Sequence, residues 1–294
     1  MSHVVVNEKG TGWIPDHPSI ADYTIASGAV AGLFSKIGVL GTGSRKSLPT
    51  KADKIRQYCS SIQDQGPICS CTAHVVIGMV QYFENKAFKN DIDPSRLFLY
   101  KVTRDFLQLR GDTGASLRST IGALIHYGAP QEKYWEYDIS RFDIEPPARC
   151  YDFASKYKAI MYIRLDKPNI TKQALVDSIK ENLSKGIPST FGFTVYESIQ
   201  QASSDGKIPF PYNAEKALGG HSIMAVGYDN NLKIKNNSSG EVITGAFLIR
   251  NSWGTSWGDQ GYGYLPYEYV LQDLAVDWWT IIKAEWVETG QFGE

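Results

Sequence analysis

The chain has 294 residues, a formal net charge of −1 at pH 7 and 43% hydrophobic residues. That length can bury a substantial core, as one large domain or two small ones. The near-neutral charge, without a basic patch, argues against a nucleic-acid partner. Four cysteines do not make a disulfide framework. The N-terminus lacks the regions of a secretory signal, so we expect a cytoplasmic protein, or one exported without a classical signal peptide.

Residues 1–48 differ from the rest of the chain in composition. Small residues dominate 25–45, and an anchor-like aromatic, Trp13, precedes them. Glycines, serines and a lysine interrupt the apolar stretch too often for a membrane-spanning helix. We therefore predict an N-terminal extension over 1–48, with a flexible small-residue tether that ends in an exposed linker at 42–49.

Helical periodicity is strongest in the first half of the remaining chain. Apolar residues recur at 75, 79, 82 and 83, directly after Cys71. Capping residues and breakers mark three further predicted helices, over 95–108, 116–127 and 171–184.

Strand-like runs rich in β-branched and aromatic residues dominate the second half. They lie at 160–164, 188–195, 222–228, 246–251, 261–265 and 275–282. A hairpin turn is expected at 236–240. A helical half followed by a sheet half predicts an α+β fold.

Three short motifs carry the chemistry of the chain. The first runs from Asp64 to Ala73 and contains Gln65 and Cys71, the second is Gly219-Gly220-His221-Ser222, and the third begins Arg250-Asn251-Ser252-Trp253-Gly254. Together they supply a thiol, an imidazole, a carboxamide that can orient the imidazole and a second carboxamide before the thiol. This set of groups is what a thiol peptidase needs.

Cys71 lies where a loop marked by glycine and proline turns into a helix. The positive end of the helix dipole favours the thiolate there. Taken alone, Cys71 is more readily interpreted as a buried structural cysteine, the commoner state of a free cysteine. His221 opens an apolar strand and is the preferred base. His74 is a rival, although a base one turn further along the same helix would point along the helix rather than across a cleft.

In order and together, these motifs resemble those of the papain-like cysteine peptidases, over residues from about 50 to about 284. The form of the first motif, with Ile68, Cys69 and Thr72, is similar to that of bacterial members. The resemblance implies a two-domain fold, with a helical left domain, a β-sheet right domain and the active site in the cleft between them. It places the peptidase domain at 49–284 and a C-terminal tail at 285–294.

The resemblance also implies roles for individual residues. Cys71 would be the nucleophile, His221 the base, Asn251 the group that orients the imidazole, and Gln65 an oxyanion donor. Trp253 would shield the bond between His221 and Asn251 from water. No metal and no organic cofactor are expected.

The segment 112–116 matches the region that hydrogen-bonds the extended substrate backbone in this family. Gly114 and Ala115 are therefore expected to bind substrate, as are Gly220 and Trp253. A plain helix-entry loop capped by Ser116 is the competing interpretation. Cys69 could pair reversibly with Cys71, but a small residue in place of glycine is the simpler interpretation, because a ring closed between such near neighbours is strained.

The expected function is hydrolysis of peptide bonds in peptides or proteins through a thioester acyl-enzyme, by an endopeptidase that its N-terminal segment regulates. In that hypothesis residues 1–48 fold back along the cleft as an inhibitory cover, against the direction of substrate. A disordered or purely packing extension is the alternative. A transpeptidase or ligase, and a catalytically silent binding module, are the competing functions.

Overall fold

The computed structural model describes residues 4–6, 8–39, 47–154 and 160–293. The helices are α1 (Gly28–Lys36), α2 (Cys71–Phe88), α3 (Arg96–Phe106), α4 (Leu117–Tyr127), α5 (Ala148–Ala154), α6 (Lys172–Ser184), α7 (Glu268–Leu271) and α8 (Ala284–Val287). The strands are β1 (Val4–Val6), β2 (Lys9–Thr11), β3 (Lys51–Ala52), β4 (Met161–Arg164), β5 (Ser189–Tyr196), β6 (Ala217–Lys235), β7 (Val242–Arg250), β8 (Tyr262–Pro266) and β9 (Ala275–Ile282).

Within the described residues, the second half of the chain forms most of a seven-stranded antiparallel sheet. Its strand order is β4-β9-β5-β6-β7-β8, and the short β3 pairs with β6. The predicted α+β fold is confirmed. β6 is much longer than the strand predicted at 222–228, and the expected turn at 236–240 joins it to β7.

Helix α2 is the central helix of the helical half. Every residue from Cys71 to Phe83 is buried, because α3 and α4 cover one side and the sheet, through β6, covers the other. The residues buried here are mostly apolar on every side of the helix, as expected for a helix enclosed by other elements. The helix ends at Lys89, which takes a left-handed conformation with φ of 53°.

The prediction of a flexible tether over 25–45 is wrong for residues 28–36, which form α1. Val30, Phe34 and Ile37 of this segment are buried, and α1 packs against α8. The signal was present in the sequence as apolar residues at helical spacing. Residues 40–46, where the tether and the linker overlap, lie outside the described residues.

The C-terminal residues predicted as a tail are part of the core. The Trp286 ring in α8 stacks on Phe83 of α2, with ring centroids 4.6 Å apart, and its indole N–H donates to Glu84 at 2.9 Å. Phe292 packs against the same Phe83 ring. Among the described residues no helix combines the length and the apolar character needed to cross a membrane.

Candidate active site

The antiparallel pairing of β6 with β7 brings His221 and Asn251 together. Met224 on β6 lies opposite Arg250, the last residue of β7, so the two polar side chains come to the same end of the strand pair. His221 Nε2 lies 2.8 Å from Asn251 Oδ1, which also accepts the N–H of Ser252 at 2.8 Å. Since that amide oxygen can only accept, Nε2 carries the proton, and Nδ1 keeps its lone pair for another proton.

Trp253 covers the bond between His221 and Asn251. Its ring stacks on the imidazole with centroids 4.6 Å apart and an interplanar angle of 26°. Trp257 packs edge-on against Trp253. Water is kept from the hydrogen bond, which is therefore stronger than it would be in solvent.

Cys71 is the first residue of α2, as the sequence predicts for a thiol at a helix N-terminus. The thiol is fully buried. Burial raises the pKa of Cys71, an effect that Ser222 and the backbone of Gly12 partly offset. Burial also lowers the pKa of His221 to about 4. In this state burial therefore favours the neutral form of both the Cys71 thiol and the His221 imidazole.

Gln65 is positioned by Ser252, a residue for which the sequence predicted no role. The Ser252 hydroxyl donates to Gln65 Oε1 at 2.7 Å, and the Gln65 N–H donates to the Ser252 carbonyl at 2.9 Å. This fixes the orientation of the amide. Its Nε2 donates to the carbonyls of Gly10 at 3.0 Å and Ile68 at 2.9 Å. The only signal for Ser252 was its place directly after Asn251.

His74, the rival base, faces a different set of groups. Its Nδ1 lies 3.1 Å from the Ser70 carbonyl and 3.3 Å from the Ser70 hydroxyl, and its ring packs edge-on against Tyr137. Burial lowers the pKa of His74 to about 3. Asn251 orients His221 and not His74.

The N-terminal segment runs through the cleft beside the thiol. We call residues 10–14 the cleft segment. Trp13 pairs with Ala115 in a parallel bridge, in which Ala115 N–H donates to Gly12 at 2.9 Å and Ile14 N–H donates to Ala115 at 3.0 Å. Trp13 N–H donates to Gly220 at 3.1 Å. The backbones of Ala115 and Gly220, both expected to bind substrate, thus hold the chain's own segment.

Two glycines allow the backbones to approach this closely. A Cβ on Gly12 would lie 2.2 Å from the carbonyl oxygen of Cys69. A Cβ on Gly114 would lie 2.1 Å from the carbonyl oxygen of Gly12, and Gly114 has φ of 74°. The segment therefore fits only with glycine at both positions.

The Cys69 side chain also contacts the cleft segment. Its thiol donates to the Thr11 carbonyl at 3.0 Å, and its backbone N–H donates to Asp112 at 2.9 Å. Burial and the neighbouring Asp112 carboxylate raise the pKa of the Cys69 thiol. All four cysteines, the remaining two being Cys59 and Cys150, are free thiols.

Comparison with known proteins places this site in a family. The sequence model described as papain family cysteine protease matches residues 48–270. An uncharacterized peptidase C1-like protein of Acanthamoeba polyphaga mimivirus is 36% identical over 227 residues, covering 74% of this chain and 68% of that protein. Peptidase 1 of Dermatophagoides pteronyssinus is 25% identical over 169 residues, covering 54% of this chain and less than half, 44%, of that relative.

Solved structures of cysteine proteases resemble this chain over more of its length. Xylellain, a cysteine protease from Xylella fastidiosa, superposes with a TM-score of 0.74 at 30% identity, covering 97% of this chain and 99% of that one. Bromelain from Ananas comosus, solved with the E64 inhibitor, shares the fold at a TM-score of 0.56 and 17% identity, covering 79% of this chain and 98% of that one.

The fold and the constellation of thiol, imidazole and carboxamide define a thiol-dependent hydrolase. The chain belongs to the papain family of cysteine proteases. The resemblance stated from the motifs is thereby confirmed, and so is the expectation of a peptidase.

Proposed function

We propose that this chain is an endopeptidase that uses Cys71, His221 and Asn251, and that its cleft segment keeps the site closed in the intact chain. The observation that carries the proposal is the hydrogen bond from Gln65 Nε2 to the Gly10 carbonyl oxygen. The donor proposed for the oxyanion is already satisfied by a carbonyl group of the extension. While Gln65 donates to the Gly10 carbonyl oxygen, it is not available to a substrate oxyanion, so the enzyme is inactive in this state.

Catalysis follows from the groups at the site once the segment has left. His221 Nδ1 accepts the thiol proton from Cys71, and the thiolate attacks the scissile carbonyl carbon. Gln65 and the Cys71 backbone N–H stabilise the oxyanion. The imidazolium then protonates the leaving amine, and water hydrolyses the thioester. Asn251 holds the imidazole in one tautomer throughout.

The order of contacts supports a cover that runs against the direction of substrate. Gly10 lies at Gln65, Gly12 beside Cys69, and Trp13 at Ala115. We propose that a substrate runs the other way, with its acyl side at Ala115 and its leaving amine at His221. A reversed backbone exchanges the positions of N–H and C=O, so it does not present a leaving amine to His221 and is not cleaved.

Ion pairs between the extension and the rest of the chain on both sides of Cys71 support endopeptidase action. On one side Lys9 pairs with Asp64 at 2.5 Å. On the other, Asp16 pairs with Arg118 at 2.6 Å. The cleft therefore accommodates a chain that continues in both directions past Cys71, as an endopeptidase requires.

The test uses the full chain, because α1 belongs to the core and truncation would remove it. Gly12→Ala places a methyl group against the Cys69 backbone and should expel the cleft segment. Gly32→Ala, in α1 of the same extension and with open space around its Cα, is the matched control. We expect Gly12→Ala to be labelled at Cys71 by an epoxide electrophile, and to cleave a fluorogenic peptide, at least about 10-fold faster than either wild type or Gly32→Ala.

Two results would count against the proposal, and they are distinguishable. Equal labelling rates in all three proteins would show that the segment is not a cover. Labelling without hydrolysis of any peptide, or hydrolysis that survives Cys71→Ala, would contradict the catalytic assignment itself.

A further inference from the structure

A small cavity lies between the first turns of α2 and the paired strands β6 and β7. Its volume of about 10 Å³ has room for one water molecule. Three buried polar atoms of its lining residues have no hydrogen-bond partner among the described residues: His74 Nε2, Arg250 Nε and Ser222 Oγ. None of these three residues is more than 7% exposed. Buried polar atoms are normally satisfied, so this cluster requires a further hydrogen-bonding group.

The protons available around His74 fix its tautomer. The Tyr137 hydroxyl donates its proton to the Gln65 carbonyl oxygen at 2.9 Å. The Ser70 hydroxyl, 2.6 Å from the Tyr137 oxygen, therefore donates to that oxygen and has no proton left for His74. His74 Nδ1 then carries the ring proton and donates it to the Ser70 carbonyl oxygen at 3.1 Å. His74 Nε2 is consequently an acceptor with a free lone pair.

The groups packed around His74 keep its imidazole neutral. Burial lowers its pKa to about 3, and the positive charges of Arg96 on α3, Arg250 on β7 and His221 on β6 act in the same direction. Tyr137, which packs edge-on against the ring, is neutral as well, because burial raises its pKa. His74 Nε2 therefore remains an acceptor throughout the neutral pH range.

The carboxylates nearest to this cluster are already paired with another group. Asp93 and Glu132 lie 3.0 Å and 3.1 Å from the Arg96 guanidinium. Arg250 Nη2 donates to the Ser61 carbonyl oxygen at 2.9 Å, and its Nε is left for the cavity. The cavity thus presents one donor, one acceptor and one hydroxyl, and none of the three is a carboxylate.

One water molecule satisfies all three atoms and fixes the direction of the remaining proton. It accepts the Arg250 Nε–H and donates one proton to His74 Nε2 and the other to Ser222 Oγ. The Ser222 hydroxyl then keeps its own proton for a different acceptor. Burial raises the pKa of the Cys71 thiol, and the hydroxyl and backbone N–H of Ser222 are the largest opposing effects, so the Cys71 sulfur is that acceptor. In the covered state this contact is not yet an aligned hydrogen bond.

We propose that Ser222 is a further catalytic residue, whose hydroxyl donates to the Cys71 sulfur when the thiolate forms, and that His74 is a positioning residue that orients this hydroxyl through a buried water. The inference rests on the proposed function, because it takes Cys71 as the nucleophile. No proton moves along this chain of hydrogen bonds. The thiol proton goes to His221 Nδ1, and Ser222, the water and His74 keep theirs.

The effect of Ser222 on the reactivity of Cys71 should depend on pH. A hydrogen bond to a charged acceptor changes the thiolate equilibrium by about 10-fold or more. Below the midpoint of the pH profile for alkylation the thiolate fraction limits the rate, whereas above it the thiol is already ionised. The titratable neighbours of Cys71 are His221, the proposed base, and Cys69, whose charge interacts with that of Cys71. Both are unchanged in the variants below.

The test measures the rate of Cys71 alkylation by iodoacetamide from pH 4 to pH 9 in the full-chain Gly12→Ala protein. Ser222→Ala in that chain should move the lower midpoint to higher pH and reduce the rate below it by about 10-fold, with little change at pH 9. Ser189→Ala is the matched control, because it removes another buried hydroxyl without a described partner, on β5, and should leave the profile unchanged. A Ser222→Ala profile that is unchanged, or lowered equally at every pH, would overturn the inference.

The role of His74 is tested by a double-mutant cycle in the same chain. His74→Leu removes the acceptor and should move the midpoint in the same direction, yet should add nothing to Ser222→Ala. His74→Gln, whose side-chain oxygen can accept from the water, should stay close to the parent profile. Equal effects of His74→Leu with and without the Ser222 hydroxyl, or equal effects of leucine and glutamine, would contradict the relay. Failure of the Gly12→Ala chain to hydrolyse any peptide would instead overturn the proposed function.

Discussion

The side-chain amide of Gln65 donates to the carbonyl oxygen of Gly10 at 3.0 Å, although the two residues are 55 positions apart in the chain. The same amide is held from behind by the Ser252 hydroxyl at 2.7 Å. A substrate carbonyl must therefore compete with an intramolecular one for a donor that is already oriented. In the proposed mechanism, inhibition and transition-state stabilisation depend on the same N–H group.

Gln65→Ala should therefore have two opposite effects. Labelling of Cys71 in the full chain should become faster, because the segment loses a hydrogen bond. In the Gly12→Ala background, kcat should fall by roughly 10²-fold, the usual loss on removing one oxyanion donor. Gln63→Ala, two residues away, is the control and should change neither rate. A Gln65→Ala enzyme with unchanged kcat would show that this amide does not contact the oxyanion.

The three residues of the proposed triad should differ in the size of their effects. Cys71→Ala and His221→Ala should each abolish hydrolysis, because nucleophile and base act as a unit. Asn251→Ala should lower kcat by a smaller factor, since Asn251 orients the imidazole without reacting. Asn237→Ala, on the exposed hairpin, is the control. If His74→Phe removed activity and His221→Ala did not, the assignment of the base would be wrong.

Thiol mapping should separate Cys71 from its neighbour. Burial and the Asp112 carboxylate both raise the pKa of Cys69. Asp112, which accepts the Cys69 backbone N–H, would still disfavour the Cys69 thiolate after the cleft segment has left. In Gly12→Ala, mass spectrometry after limited alkylation at pH 7 should find the label on Cys71. Cys69→Ala should retain hydrolysis. Preferential alkylation of Cys69 would contradict its interpretation as a small packing residue and revive a redox role.

Asp277 should make the stability of the fold depend on pH. Burial raises the pKa of its carboxyl to about 6, above the unfolded value of about 3.9. The folded state therefore takes up a proton between pH 6 and pH 4 that the unfolded state does not, so the contribution of Asp277 to the unfolding free energy rises as the pH falls through this window. The size of this effect is about 3 kcal/mol at most.

The measurement is urea unfolding of wild type and Asp277→Asn at pH 4.5 and pH 7. His221, whose pKa burial lowers to about 4, has the opposite pH dependence, but it is common to both proteins. Relative to Asp277→Asn, the wild type should therefore be more stable at pH 4.5 than at pH 7. An identical difference in unfolding free energy at the two pH values would show that Asp277 does not titrate in this range.

The sequence predicted the parts of the site that lie in short motifs and the helices and strands with clear periodicity. Cys71, His221 and Asn251 could be found because chemistry fixes their residue types and their order. Asp277 could not, because it lies in an apolar strand and its partner Trp13 is 264 positions away. Such a pairing depends on the path of a loop, and no local pattern encodes it. α1 was missed for another reason: its apolar spacing was present, but its glycines and alanines suggested a tether.

The match to the family begins at residue 48, yet the cooperative unit begins earlier. Val30 and Phe34 of α1 are wholly buried, and a Cβ on Gly293 would lie 2.3 Å from the Ile37 carbonyl, so both chain ends close the same core. Substitutions before residue 48 should consequently divide into two phenotypes. Substitutions at 10–14 should raise peptidase activity and leave the melting temperature almost unchanged. Those at 28–37 should lower the abundance of the protein in a cell without raising its peptidase activity.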